Sequence, residues 1–93
     1  MIVGLLEIDL RIPGAQSLKE KRMLMRSLRD RLRNRFNVSV AEVEGGDARQ
    51  HGVLGIAHVS NEQKFSNQVL SKIVNLVENE RDLELVDYRL TFL

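Results

Sequence analysis

Apolar residues in this chain recur first at every second position and then with a helical repeat. Two further alternating runs follow, then a second helical stretch and a last alternating run. Few folds accommodate that order, because each alternating run must join a sheet and each helix must lay its apolar stripe on that sheet. In the first run Ile2, Leu6, Ile8, Leu10 and Ile12 share one face, with Glu7, Asp9 and Arg11 on the other. Pro13-Gly14 ends the strand, since proline cannot continue the ladder and glycine permits a turn. Ser17 opens a helix, and Glu20 three residues on completes a capping box. Leu18, Leu24, Met25, Leu28, Leu32 and Phe36 form its apolar face.

Strands at about 37–44 and at Gly52–Val59 flank Gly45-Gly46-Asp47 and a stretch to about His51. Their close spacing predicts an antiparallel hairpin with a long, mobile loop, in which Gly45, Gly46, Asp47, Arg49 and Gln50 are available for binding. Ser60 with Gln63 offers a second capping box. A second amphipathic helix with Phe65, Val69, Leu70, Ile73, Val74, Leu76 and Val77 runs to about Glu80. Val86, Tyr88, Leu90 and Phe92 alternate in the final strand.

The order β-α-β-β-α-β is the split βαβ pattern of the ferredoxin-like α+β fold. It predicts one domain over residues 1–93, with a four-stranded antiparallel sheet in the spatial order 4-1-3-2 and both helices on one face. Ninety-three residues suffice for a single core. The absence of cysteine removes disulfides, thiolate nucleophiles and thiolate metal sites. No run approaches a membrane span and the start lacks a basic n-region, so a cytoplasmic protein is expected.

The net charge of +1 conceals a strong asymmetry. Residues 19–35 carry eight Lys/Arg against Glu20 and Asp30, a local balance of +6, and the remainder of the chain is at −5. Lys19, Arg22, Arg26, Arg29 and Arg33 recur at alternating steps of three and four, which stacks them in a ridge beside the apolar stripe of the first helix. At 1.5 Å per residue the ridge spans about 21 Å, the scale of several nucleic-acid phosphates. With Lys21 close by, it is a candidate phosphate-contact surface giving affinity without base readout. The competing reading is a solvated face in which Asp30 pairs with Arg26 and Arg33. The turn ahead of the helix, through Gln16 and Ser17, presents amide N–H groups at a helix N-terminus and is a candidate anion site.

The uncovered sheet face can be read in the same way. With the all-apolar side of the first strand as core, Val3, Leu5, Glu7, Asp9 and Arg11 point outwards. Placing Ala41 and Val43 of the second strand in the core sends Val38, Val40, Glu42 and Glu44 outwards, and the last strand brings Leu93 near Val3 and Asp87 near the acids. The face is then half apolar (Val3, Leu5, Val38, Val40, Leu93) and half acidic (Glu7, Asp9, Glu42, Glu44, Asp87). The apolar half is a candidate oligomer interface, with a homodimer expected. The third strand has no aromatic residue and acidic neighbours, which argues against base stacking on the sheet.

Signs of catalysis are missing. His51 and His58 match no metal spacing, Ser17 is accounted for as a cap, and no Ser-His-Asp arrangement is present. Glu7, Asp9 and Glu42 are carboxylates that could serve a hard cation or acid/base work, but more often such a group is merely solvated. A non-enzymatic protein without cofactor, metal or small-molecule substrate is expected.

Ser17-Leu-Lys-Glu-Lys-Arg22, Asn37-Val-Ser-Val-Ala-Glu-Val43, Leu54-Gly-Ile-Ala-His-Val-Ser60 and the terminal Thr91-Phe-Leu93 resemble the YlxP-like family of small bacterial proteins, a domain of unknown function. The resemblance covers essentially the whole chain and implies a ferredoxin-like fold in the cytoplasm. It also implies a connection to RNA or the ribosome, because family members are often encoded beside translation and ribosome-maturation factors. Positions matching the family are Ser17, Leu18, Lys19, Lys21, Arg22, Asn37, Ser39, Glu42, Gln50 and Ser60, and the resemblance implies no catalytic role for any of them. Ala48-Arg49 stands where relatives often carry a bulky apolar residue such as tryptophan. The functional expectation is an RNA- or ribosome-associated binding module acting through Lys19, Lys21, Arg22, Arg26, Arg29 and Arg33. The alternative is a homo-oligomeric interaction module that does not bind nucleic acid.

Overall fold

The computed structural model describes residues 1–93. Its elements are β1 (Ile2–Arg11), α1 (Leu18–Arg35), β2 (Ser39–Glu44), β3 (His51–Ser60), α2 (Gln63–Glu78) and β4 (Glu84–Phe92). The strands form one antiparallel sheet in the order β2-β3-β1-β4, the predicted 4-1-3-2 arrangement seen from the opposite edge. β1 pairs along its length with both β3 and β4, so its alternation becomes the centre of the core. Leu6, Ile8, Leu10 and Ile12 are at most 1% exposed. α1 lies towards β2 and α2 covers β1, β3 and β4. The helices bring Met25, Leu28, Leu32, Leu70, Ile73, Val74 and Val77 into the same cluster. No helix is long and apolar enough to cross a membrane.

The start of α1 follows from its sequence. The Ser17 hydroxyl accepts the Glu20 N–H at 3.1 Å, and the Glu20 carboxylate reaches back to accept the Gln16 N–H at 2.8 Å. This is a capping box displaced by one donor at its return arm. The second expected box does not form. Glu62 is the N-cap of α2 without a side-chain cap bond, while the Ser60 hydroxyl lies 2.7 Å from that of Ser66 and accepts the Glu62 N–H at 3.3 Å. Ser66 is fully buried and its hydroxyl is 2.8 Å from Nδ1 of His58, which is itself buried. Ser60 is drawn into a buried polar chain, and that competes with capping.

β2 presents the opposite face to the one expected. Val40 opposes Ile56 and Glu42 opposes Leu54, both core positions of β3, so Val40 is buried and Val38 packs against the cluster. Val43 is 53% exposed at a register shift between Glu42 and Glu44. Both sides of this strand carry two apolar residues, so its alternation alone did not select a face. The choice is made by α1, which supplies an ammonium to Glu42 on the helix side. The register shift then returns Glu44 opposite Val53, on the open face where it was expected. A similar shift in β4, beside Asp9 and Leu10, puts Leu85 opposite Leu10 and leaves Val86 53% exposed.

The segment 45–50 is anchored rather than free. Gln50 donates from Nε2 to the carbonyls of Pro13 (3.2 Å) and Ala15 (3.3 Å), Arg49 donates to the Gln16 carbonyl (3.2 Å), and the Ile12 N–H donates to the Gln50 carbonyl (3.0 Å). Gly45 has φ +95°, a conformation that glycine adopts without a Cβ penalty, and a Cβ there would meet the His51 carbonyl oxygen at 2.7 Å. The segment and the β1–α1 turn therefore fasten each other.

Candidate nucleic-acid interface

The two faces of α1 have different fates. Lys21, Met25, Leu28 and Leu32 are its buried residues and follow a single helical stripe. Lys21 is 0% exposed, and its Nζ donates to the carbonyls of Gly45 (2.7 Å) and Gly46 (3.2 Å) and lies 2.9 Å from Oε2 of Glu42. Three acceptors converge on three N–H bonds, so the buried ammonium is satisfied. Lys21 was expected among the phosphate contacts. It is instead a strut that holds the 45–50 segment and β2 to α1, and its sealed position gives it no access to a phosphate.

The remaining cations stand beside this stripe. Lys19, Arg22, Arg26 and Arg33 are exposed and Arg29 is half-buried. Asp30 pairs with its neighbour Arg29 at 3.3 Å, and not with Arg26 or Arg33. Lys19, Arg22, Arg26 and Arg33 make no ion pair. Arg22, Arg26 and Arg29 border a shallow groove with Met25, Glu42 and Leu54 along the β2 side of the helix. Arg31, on the other flank, is taken up by a two-pronged bond to Glu80 at 2.6 and 2.9 Å. Arg35 lies 5.8 Å from the centre of the Phe36 ring. The ridge thus carries four fixed cations without carboxylate partners on an exposed helix face.

The expected anion site at Gln16 and Ser17 already has an anion in it. The Glu20 carboxylate takes the Gln16 N–H, and the Gln16 carbonyl takes Arg49. The positive end of the helix is neutralised by its own first-turn carboxylate, so an external phosphate would have to displace it.

The acids gather elsewhere. Glu7, Asp9, Glu44 and Asp87 border a depression on the open sheet face together with Val53, Tyr88 and Arg89. Glu42 is not among them, because it faces Lys21. His51 Nε2 lies 2.6 Å from Asp9, and Arg89 reaches Glu7 at 2.7 Å. Towards the other end of this face Leu93 exchanges both backbone bonds with Val3 (3.3 and 2.8 Å), as expected. Leu93 is 71% and Val59 58% exposed, while Val3 and Leu5 are half-buried. Val38 and Val40 do not join this apolar patch, since they belong to the helix side.

Sequence reasoning missed the roles of Lys21, Arg49 and Gln50 as anchors. For Lys21 a signal was present, because position 21 falls in register with 25, 28 and 32 on the buried stripe. Nothing in the local sequence marks Gln50, whose partners come from a turn 35 and 37 residues away.

A family model described as "Protein of unknown function (DUF503)" matches residues 3–90. The chain is 31% identical over 83 residues to the uncharacterized protein YlxP of Bacillus subtilis (strain 168), across 89% of this chain and 90% of that protein. Neither description states an activity, a ligand or a partner.

Proposed function

We propose that this chain, which belongs to the DUF503 family, is a non-enzymatic module that binds RNA, free or within the ribosome, through the exposed ridge of α1. The reading rests on one observation: Lys19, Arg22, Arg26 and Arg33 form an exposed row with no carboxylate partner. Such a row attracts the phosphate backbone and releases its counterions on contact. The acids of the open face give the molecule a negative side, which orients an approaching polyanion towards α1. Strand β3 offers no aromatic platform, so contact is with phosphates and tolerant of sequence.

The test is a salt series with a short fluorescent RNA, read by anisotropy. Four phosphate contacts predict that log K falls with log salt at a slope of about −3 to −4. Absence of binding at low salt, or a flat salt dependence, would remove the reading.

The alternative is a homo-oligomer that binds no nucleic acid, supported by the exposure of Val59 and Leu93 on the open face. It predicts self-association that Val59→Glu abolishes, with RNA binding absent in the parent protein.

A further inference from the structure

We propose that the free edge of β4 pairs with β4 of a second copy of this chain, antiparallel and centred on Tyr88, to give a continuous eight-stranded sheet. β4 ends the sheet and pairs with β1 alone. The other edge, β2, is short, irregular at Val43 and carries Glu42 and Glu44, the usual devices that prevent strand addition. β4 is longer, has no lysine or proline, and pairs regularly with β1 from Asp87 to Phe92, its own register shift lying at Val86 outside that stretch.

The direction of its unused backbone groups follows from the ladder. Val3 and Leu93 exchange both backbone bonds, so by antiparallel alternation Thr91 and Arg89 also face β1, while Phe92, Leu90 and Tyr88 turn their N–H and C=O groups outwards. The Tyr88 N–H accordingly finds the Asp87 carboxylate, at 2.8 Å, in place of a strand. Tyr88 is 48% and Val86 53% exposed beside this edge.

The strand is complementary to itself. Tyr88 is the midpoint of Glu84–Phe92. A two-fold axis there sets Asp87 of each copy opposite Arg89 of the other with no like charges face to face, and the register shift at Val86 ends the regular pairing beyond Asp87. Centring on Leu90 or Val86 loses both charge pairs. When the Tyr88 N–H passes to the carbonyl of the second copy, the Asp87 carboxylate is released to the opposing Arg89, which then bridges it and the Glu7 of its own chain. Asn67, Ser71, Asn75 and Glu78 of α2 line a groove with Tyr88 and Leu90 beside the same edge, so each α2 presents short polar side chains there with one carboxylate at its C-terminal end. Both helix layers then share one side of the joint sheet. The two β2 strands lie about 34 Å apart at about 4.8 Å per strand, which carries the α1 ridges to opposite ends of one surface.

The test combines sedimentation equilibrium with residue-resolved amide exchange on the whole chain. The parent protein is expected to show a concentration-dependent mass approaching two 10.7 kDa chains. Tyr88→Lys and Asp87→Arg should each weaken association at least about tenfold, with circular dichroism confirming that both variants are folded. Val59→Glu should leave association unchanged, and the Leu90 and Phe92 amides should gain protection as concentration rises. A parent protein that is monomeric up to about 1 mM would overturn the proposal. So would association that survives both β4 variants, or Leu90 and Phe92 exchange that is independent of concentration.

Discussion

Replacing Lys21 with methionine is expected to lower the unfolding free energy by about 3 kcal/mol, because the unbranched apolar stem is kept and the ammonium with its donors is lost. The carbonyls of Gly45 and Gly46 lose a charged partner, and Glu42 loses its counter-ion. The Glu42 side chain is 31% exposed and can rehydrate, which holds the effect to the lower part of the range for broken buried pairs. For a domain of this size the corresponding fall in melting temperature is roughly 12–24 °C. Adding Glu42→Gln should recover about 1 kcal/mol, since the second change removes an unpaired carboxylate. Limited proteolysis of the single variant should begin within 45–50, the segment that Lys21 holds. A melt within about 0.5 kcal/mol of the parent would show that the strut does not stabilise the fold.

Reversing Arg22, Arg26 and Arg33 to glutamate together is expected to weaken RNA binding by roughly 100-fold or more. The three side chains are exposed and make no ion pair, so the melting temperature should move little. Net charge alone would also reduce binding, and a matched control separates the two effects. Lys64, Lys72 and Arg81 are exposed and lie outside α1, and their reversal changes the net charge equally. The control variant should retain most of the affinity, because contacts beyond a Debye length of about 8–10 Å are screened. Equal losses in the two variants would reduce the ridge to a contributor of overall charge.

The fold was legible because its signals are local and agree with one another. The alternation of β1 is unambiguous, Pro13-Gly14 and Ser17 with Glu20 mark a turn and a helix start, and the β-α-β-β-α-β order places β1 inside the sheet. The face of β2 was not legible, because Val38 and Val40 compete with Ala41 and Val43 and the decision rests on Lys21 reaching Glu42 from another element. The same long-range contact explains why Lys21 was read with the ridge: a lysine on a buried stripe is identified only by what it meets inside. Arg22, Arg26 and Arg33 were placed correctly on an exposed face, since helical spacing fixes direction once the stripe is known. The Gln16–Ser17 turn was recognised as a helix start, but Glu20 performs there the role assigned to an external anion.

The most direct measurement is a backbone and arginine-side-chain NMR titration of the parent protein with a short RNA. The α1 ridge predicts that the largest shifts fall on residues 19–33, with the arginine Nε–H signals of Arg22, Arg26 and Arg33 moving together and returning as salt is raised. Shifts centred on the open face of β1 and β3, or none at low salt, would contradict the assignment of the ridge as the contact surface.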